Sequence, residues 1–213
     1  MKHLVITTAS IPKESCLTQL GYNYEIRERD YIDSFKSALK FKDLFDSITI
    51  IETISREKVD YLENSGINVY YSNFDNSFVN KGLNEMFHIR DFIENNNIDD
   101  NDLVVKLSGR YIMENDNILS INSDFIAKYD GDIYDPINRG VHTFFFAFIK
   151  KSFVEFINSI DINVVNSIHI SIEWVVKEFL LKKNIKILDS SYKLGVTTCL
   201  YNKFSDIWTR IYC

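Results

Sequence analysis

The chain has few of the residues that build metal clusters, interdomain linkers and glycine-rich loops. Of 213 residues, three are cysteine, two are proline and seven are glycine. The cysteines stand at positions 16, 199 and 213, without metal-ligand spacing, and their odd number favours reduced thiols and a cytoplasmic location. With no internal repeat, low-complexity tract or proline-rich linker, the sequence predicts one domain of about this length.

Two further absences exclude whole classes of partner. The formal charge is −6, whereas a general nucleic-acid binder needs a basic face, so we expect no nucleic acid. No stretch approaches the ~20 apolar residues of a membrane span, and the apolar run near the N-terminus is too short for a signal peptide. We therefore expect a soluble domain, which could be part of a longer polypeptide.

The residues that are present alternate between strand and helix patterns. Predicted strands cover residues 3–8, 47–53, 67–72, 103–107, 142–149 and 185–188. Predicted helices cover residues 27–42, 55–64, 80–95, 152–158 and 168–183. This alternation indicates βαβ units and a mostly parallel sheet in the first half, followed by a mixed second half.

Polar side chains follow several of the predicted strands. Thr7 and Thr8 end the first strand and can bond a base or ribose, although capping hydroxyls are an ordinary strand ending. Glu52 ends the second strand, where an acid can accept from a ribose. Neither G-x-G-x-x-G nor G-x-x-x-x-G-K-[ST] follows the first strand, which argues against dinucleotide-binding and P-loop domains.

A helix start and a strand end complete this set. Lys81 and Asn84 lie in the first turn of a predicted helix, where anions are favoured, although a solvated helix start is equally consistent. The stretch "LVVKLSGRY" reads as a strand buried on both faces that ends in Ser108, Gly109 and Arg110. Arg110 either pairs with an internal carboxylate or binds an anion. Convergence of these residues on one sheet edge predicts a nucleotide-phosphate ligand.

The loop before the first helix is long enough to fold over a ligand. It spans residues 11–26, and loops beyond about 12–15 residues are usually functional or mobile. Arg27 and Arg29 follow it at a helix N-terminus, where cations are disfavoured unless an anion is near. Pairing with neighbouring acidic residues is the alternative.

Taken together, these stretches resemble nucleotide-sugar glycosyltransferases of GT-A type. The resemblance covers most of the chain: "LVITTAS", "RERDYIDSFKSAL", "ITIIE", "NKGLNE" and "LVVKLSGRY". It implies an α/β, single GT-A-like (Rossmann-like) domain with a mostly parallel central sheet flanked by helices. Residues 1–112 would bind a UDP-sugar donor and residues 113–213 a glycan acceptor. The Ser/Thr-Gly-Arg-Tyr variant is associated with glycan-building transferases of bacteria and large DNA viruses, including capsid-glycosylating domains of chlorella viruses; a viral protein would act in the host cytoplasm.

The motif departs from the family at its metal site. Many GT-A enzymes carry Asp-x-Asp where this chain has Ser108-Gly109-Arg110. The resemblance implies Mn²⁺ or Mg²⁺, yet the usual ligands are missing. Arg110 could neutralise diphosphate charge itself, or Asp132 and Asp135 could hold the cation, since hard cations prefer carboxylate oxygens.

In the resembling enzymes an acid of the second half faces the sugar, and here that residue is Glu173. It would deprotonate the acceptor hydroxyl in an inverting enzyme or stabilise positive charge on the sugar in a retaining one. The structural alternative is a surface carboxylate or a partner for Arg139 or Lys177. Trp174 and Phe144–146 are expected in the core, although an aromatic could also form a sugar platform.

The sequence is compatible with two rival functions. A sugar nucleotidyltransferase usually needs a glycine-rich loop after the first strand, which this chain lacks. A non-catalytic nucleotide- or carbohydrate-binding module would explain the missing Asp-x-Asp.

Overall fold

A six-stranded sheet forms the centre of the fold. The computed structural model describes residues 1–10, 24–129, 140–167, 170–189, 192–202 and 207–212, with the backbone alone for residues 24, 26, 198–202 and 207–212. These residues form nine strands: β1 (Lys2–Thr8), β2 (Ser47–Glu52), β3 (Asn68–Tyr71), β4 (Leu103–Ser108), β5 (Tyr111–Met113), β6 (Phe125–Ile126), β7 (Phe145–Ile149), β8 (Val196–Asn202) and β9 (Ile207–Tyr212).

The central sheet has the strand order β3-β2-β1-β4-β7-β6. Strands β1 to β4 run parallel, and β7 is antiparallel to both of its neighbours, β4 and β6. The predicted α/β class with a mostly parallel sheet is confirmed. Parallel neighbours bring the carboxyl ends of β1, β2 and β4 to one edge, where open α/β sheets bind ligands.

Helices cover the sheet because both of its faces are apolar. Six α-helices lie in the described part of the chain: α1 (Tyr24–Leu39), α2 (Asp60–Glu63), α3 (Lys81–Asn95), α4 (Lys150–Ser159), α5 (Ile162–Ser167) and α6 (Ile172–Lys182). Short 3₁₀ turns span Lys42–Leu44 and Asn117–Ser120. Among the described helices, none combines the length and the hydropathy that crossing a bilayer requires.

Side-chain alternation along each strand creates two separate cores. Leu4, Ile6 and Leu107 pack on the face that α1 covers, together with Tyr31 and Phe35. Val5 and Val104 point to the opposite face, where α3, α4 and α6 contribute their apolar stripes. Burial on both faces explains why these strands read as continuous apolar runs instead of alternating ones.

Several predicted elements differ from the structure. The helix predicted at 55–64 is reduced to α2, because the backbone N–H groups of Ile54 and Ser55 bond the Glu52 carboxylate instead of starting a helix. The strand predicted at 185–188 amounts to a single bridge between Leu188 and Lys128. A small antiparallel sheet of order β5-β8-β9 was not predicted; its first strand has only three residues and pairs with β8 far along the chain.

Candidate functional site

The register of the strands brings the predicted polar residues to one edge but onto two faces. Thr7 lies opposite Ser108 on β4, and Thr8 lies opposite Glu52 on β2. Because consecutive side chains of a strand point to opposite faces, Thr7 and Thr8 belong to different clusters. We call them the Glu52 cluster, on the α1 face, and the Lys106 cluster, on the α3 face.

In the Glu52 cluster one buried carboxylate receives the donors of two loops. Glu52 is completely buried. It accepts hydrogen bonds from Thr8 Oγ1 at 2.7 Å, Ser10 Oγ at 2.8 Å, Ser10 N at 3.0 and 3.1 Å, Ile54 N at 2.8 Å and Ser55 N at 3.0 Å. The carboxylate thus ties the loop after β1 to the loop after β2.

The Lys106 cluster is centred on a lysine that the sequence analysis did not single out. The Lys106 side chain is fully buried, and its Nζ donates to Ser108 Oγ at 2.6 Å and to the Thr143 carbonyl at 2.6 Å. The same ammonium lies 2.9 Å from Glu85 Oε1, which also accepts from Thr7 Oγ1 at 2.6 Å. Thr7 and Ser108 are therefore joined through a charged pair on the α3 face.

Burial and charge act in opposite directions on this lysine. Desolvation lowers the pKa of Lys106, while the charges of Glu85 and Glu173 raise it and that of Arg110 lowers it further. These effects place Glu173 and Arg110 within electrostatic range of the ammonium.

Glu173 joins the same cluster through Thr143. It lies in the first turn of α6, and its Oε1 accepts from Thr143 Oγ1 at 2.8 Å. Its carbonyl accepts from Val141 N at 3.1 Å. A Cβ on Gly140 would lie 2.4 Å from Glu173 Cβ, so this close contact requires glycine.

The Ser108-Gly109-Arg110 turn packs tightly against β1 and α1. Gly109 N donates to the Thr7 carbonyl at 2.9 Å. A Cβ on Gly109 would lie 2.8 Å from Tyr31 Cδ1, so no larger residue fits without displacement. The Tyr31 hydroxyl accepts from Ala9 N and from Arg27 Nε, both at 3.0 Å. Arg27 is thus held against the α1 side of the turn that carries Arg110.

The predicted helix-start residues Lys81 and Asn84 have different environments. Asn84 is buried and bonds both backbone groups of Phe78, accepting at 3.0 Å and donating at 2.8 Å. Lys81 is exposed and lines a cavity of about 260 Å³ between the N-termini of α3 and α6. Its wall consists of Asn80, Lys81, Gly82, Ile170, Ser171, Ile172 and Glu173.

Trp174 corrects an expectation about the core. Its side chain is 39% exposed instead of buried, and Lys177 Nζ lies 5.8 Å from the ring centroid. Phe145 and Phe146 are buried as expected, whereas Phe144 is half-buried and stacks on Tyr111. An exposed aromatic ring next to Glu173 leaves the sugar-platform alternative open.

The side chains at this edge do not form a usual divalent-cation site. Ser108 and Arg110 stand at the positions that the resemblance assigns to the two aspartates, and the described residues contain no group of three His, Cys, Asp or Glu side chains able to hold a metal. Asp132 and Asp135 lie outside the described residues, as do Arg139 and residues 11–23 of the predicted ligand-covering loop.

The predicted strand-end residues lie at one edge of the sheet, whereas two central residues of the Lys106 cluster, Lys106 and Glu85, were not predicted. Thr7, Ser108 and Glu173 come together, whereas Thr8 and Glu52 form the other cluster. Lys106 carried a signal, because it is the charged residue inside the apolar run "LVVKL". Glu85 carried none beyond its position one turn into a helix that starts at the same edge.

Comparison with known proteins identifies the fold. No family model and no curated protein matches the sequence. Among solved structures, the nucleoside-diphosphate-sugar pyrophosphorylase of Vibrio cholerae RC9 aligns with a TM-score of 0.56 at 12% identity, covering 93% of this chain and 95% of that one. A protein of Desulfovibrio desulfuricans G20, provisionally named a nucleotide-diphospho-sugar transferase, aligns with a TM-score of 0.50 at 13% identity, covering 88% and 78%. At such identity the likeness shows a shared Rossmann-like fold; the GT-A family and the viral link stay predictions of the sequence.

Proposed function

We propose that the protein is a glycosyltransferase that moves a sugar from a UDP-sugar donor to a glycan hydroxyl. The observation that carries the proposal is the Lys106 cluster, which gathers two cations and two carboxylates at the carboxyl edge of the sheet: Lys106, Arg110, Glu85 and Glu173. This is the edge at which open α/β sheets bind nucleotides. The fold it shares with proteins named for nucleotide-sugar chemistry supports the same reading.

Arg110 is assigned to the donor diphosphate. A guanidinium keeps its charge at all relevant pH values and binds phosphate oxygens in a bidentate manner. At the end of β4 it would stabilise the charge that develops on UDP as the bond to the sugar breaks. Three residues predicted to contact the nucleoside and ribose form hydrogen bonds within the protein instead: Thr8, Glu52 and Asn84. They would hold the loops that border the site.

Glu173 is assigned to the reacting sugar. The Thr143 hydroxyl fixes one of its oxygens, and the residue lies in the wall of the 260 Å³ cavity with Lys81. A cavity below the roughly 300–1,000 Å³ of drug-sized pockets suits one sugar ring of the acceptor better than a whole nucleotide sugar. In an inverting reaction the acceptor oxygen attacks the anomeric carbon, its proton passes to Glu173, and UDP leaves with the bonding electrons. In a retaining reaction Glu173 instead stabilises the positive charge on the sugar.

Nucleotide binding is the first test. UDP, GDP and CMP are titrated by calorimetry with and without Mn²⁺. Of the three nucleotides, only UDP is expected to bind. The titrations with Mn²⁺ test the metal that the resemblance implies. Glu173→Gln should keep UDP affinity and reduce UDP release from UDP-glucose, UDP-galactose or UDP-N-acetylglucosamine by about 100-fold or more in the presence of acceptor glycans. Unchanged turnover in this variant would remove Glu173 from the chemistry, and wild-type binding without any turnover would favour the binding-module alternative.

A sugar nucleotidyltransferase is the second candidate. It is favoured by the pyrophosphorylase neighbour, which aligns over nearly the whole of both chains. The run Thr7-Thr8-Ala9-Ser10 in place of a glycine-rich loop after β1 speaks against it. Release of pyrophosphate from UTP and a sugar 1-phosphate would decide in its favour.

A further inference from the structure

Lys106 is a fully buried ammonium whose three protons have three acceptors. They are Glu85 Oε1, Ser108 Oγ and the Thr143 carbonyl, at 2.6 to 2.9 Å. A lysine ammonium has three donors, so this set satisfies it completely. The arrangement is therefore a built polar centre and not a charge trapped by accident.

Stability alone does not explain a charge at this position. Lys106 lies opposite Val5 on β1 and Phe146 on β7, and both belong to the apolar core on the α3 face. Replacing a buried ion pair with well-packed apolar residues is often neutral or stabilising. An apolar side chain would suit these neighbours, so the reason for a lysine lies in the groups that it holds.

Lys106 bonds groups from three parts of the site and is linked to a fourth part through Thr143. Glu85 comes from α3, and Ser108 begins the turn that carries Arg110. Thr143 precedes β7, and its hydroxyl fixes Glu173 at the start of α6. One ammonium thus connects the turn with both carboxylates.

Glu85 is partly accessible, in contrast to the fully buried Glu52. Its side chain is 25% exposed. Both of its polar contacts, from Lys106 and Thr7, go to Oε1, and within the described residues Oε2 has no hydrogen-bond partner. A carboxylate fixed through one oxygen can accept a ligand hydroxyl with the other.

We propose that Lys106 is a positioning residue that keeps Glu85 and the Thr143–Glu173 pair aligned with the Ser108-Gly109-Arg110 turn, and that Glu85 Oε2 accepts a hydroxyl of the sugar nucleotide. This rests on the proposed transferase function. The hydroxyl belongs to the ribose or to the transferred sugar, and the two sources predict different binding data.

The experiment compares Lys106→Met with Lys150→Met. Methionine keeps a similar length without the charge, and Lys150 is a matched control because its Nζ also donates to a backbone carbonyl, that of Ile98, away from the site. For the UDP-sugar that wild type turns over, Lys106→Met should lower kcat by about 100-fold, as expected for a misplaced catalytic group, with UDP affinity within about threefold. The acid limb of its kcat–pH profile should move to higher pH, because a cation beside two carboxylates is gone. Lys150→Met should change neither the kcat nor the pH profile.

Glu85→Gln tests whether Glu85 Oε2 accepts the hydroxyl. It also serves as the test variant if Lys106→Met does not fold. Its carbonyl can still accept from Lys106 and Thr7, so the fold should persist. The KM for the UDP-sugar should rise about tenfold, the effect of one charge-assisted hydrogen bond. An unchanged Kd for UDP then assigns the hydroxyl to the sugar, and a parallel rise in that Kd assigns it to the ribose.

Opposite outcomes separate the two proposals. If wild type turns over a donor and Lys106→Met keeps its kcat, or loses activity only in proportion to its folded fraction, the positioning role is wrong. If Glu85→Gln keeps the wild-type KM, the contact with the hydroxyl is wrong. If wild type neither binds UDP nor releases it from any of the three donors, the transferase function fails, and this inference fails with it.

Discussion

Two carboxylates near the same edge of the sheet have opposite surroundings. Glu52 is fully buried, and five donors of the chain bond its two oxygens: Thr8 Oγ1, Ser10 N, Ser10 Oγ, Ile54 N and Ser55 N. Glu85 is 25% exposed, and two donors bond one of its oxygens. An ionised carboxylate has roughly four acceptor sites. Donors of the chain therefore saturate Glu52, whereas Glu85 keeps unused acceptor sites.

The difference shows that position at a ligand-binding edge does not by itself make an acid a ligand contact. Both acids satisfy the rule that ligands bind outside the carboxyl ends of the strands. What separates them is whether the chain supplies enough donors to saturate the carboxylate. Glu52 closes two loops together, whereas Glu85 keeps acceptor capacity at an accessible position.

The largest expected effect contrasts Glu52→Gln with Glu85→Gln. Ser10 N donates to both oxygens of Glu52, so an amide NH₂ group would meet this donor in either orientation. We expect a loss of about 3 kcal/mol in the free energy of unfolding for Glu52→Gln, from a buried unsatisfied donor and a lost charge. Glu85→Gln should cost less than about 1 kcal/mol, because its carbonyl replaces Oε1. Urea denaturation measures both values.

Equal losses in the two variants would contradict the distinction between the clusters. If Glu52→Gln were as mild as Glu85→Gln, the carboxylate of Glu52 would not be saturated by the chain. It would then return as a candidate contact for the nucleoside.

The sequence predicted the sheet edge because long apolar runs identify buried parallel strands. The same alternation rule separates Thr7 from Thr8, since neighbouring residues of a strand face opposite sides. Lys106 could also have been singled out, because a charge within a buried strand must have a partner. The identity of that partner could not be predicted, as Glu85 is brought near by the docking of α3 on the sheet.

The second half was less predictable because its pairing is short and non-local. Strands β5 and β6 have three and two residues, too few for a period-2 pattern to be recognised. Met113 pairs with Val196, a contact between distant segments that no local pattern specifies. The first half repeats a local strand–helix unit, which local patterns do specify.

The pKa of the buried residue His88 responds to the charges of both Glu52 and Glu85, so the pH dependence of stability can be used to compare the two acids. His88 is completely buried; its Nδ1 lies 2.8 Å from Ser72 Oγ and its Nε2 2.9 Å from Asn76 Oδ1. Burial and then the charge of Arg56 lower its pKa to about 4, against the raising effects of Asp91, Glu52 and Glu85. The folded state therefore favours neutral His88.

The free energy of unfolding should fall as the pH drops from about 6.5 to about 4. The unfolded chain takes up a proton at the ordinary histidine pKa, whereas the folded chain resists it until about pH 4, so the stability present above pH 6.5 is lost through this window. We expect a loss of about 3 kcal/mol from this group. Denaturation of wild type and His88→Gln at several pH values isolates it, since the variant lacks the titrating group.

A wild-type curve parallel to that of His88→Gln between pH 6.5 and 4 would contradict this assignment. NMR titration of the His88 ring gives an independent measurement. Glu52→Gln and Glu85→Gln should each lower the ring's pKa further, because each removes a negative charge that raises it.

The smallest expected effects are coupling energies between neighbouring side chains. Thr8 Oγ1 donates to Glu52 and Thr7 Oγ1 donates to Glu85, although the two threonines are adjacent in sequence. Thr7→Val and Thr8→Val should each cost about 1 kcal/mol, the net value of a hydrogen bond. In double-mutant cycles that pair the valine variants with Glu52→Ala or Glu85→Ala, which remove the acceptor, Thr8 with Glu52 and Thr7 with Glu85 should couple by about 1 kcal/mol, while Thr7 with Glu52 should be additive to within about 0.5 kcal/mol. Strong coupling of Thr7 with Glu52 would mean that the two clusters act as one network across the sheet, and the separation of a structural carboxylate from an accessible one would no longer hold.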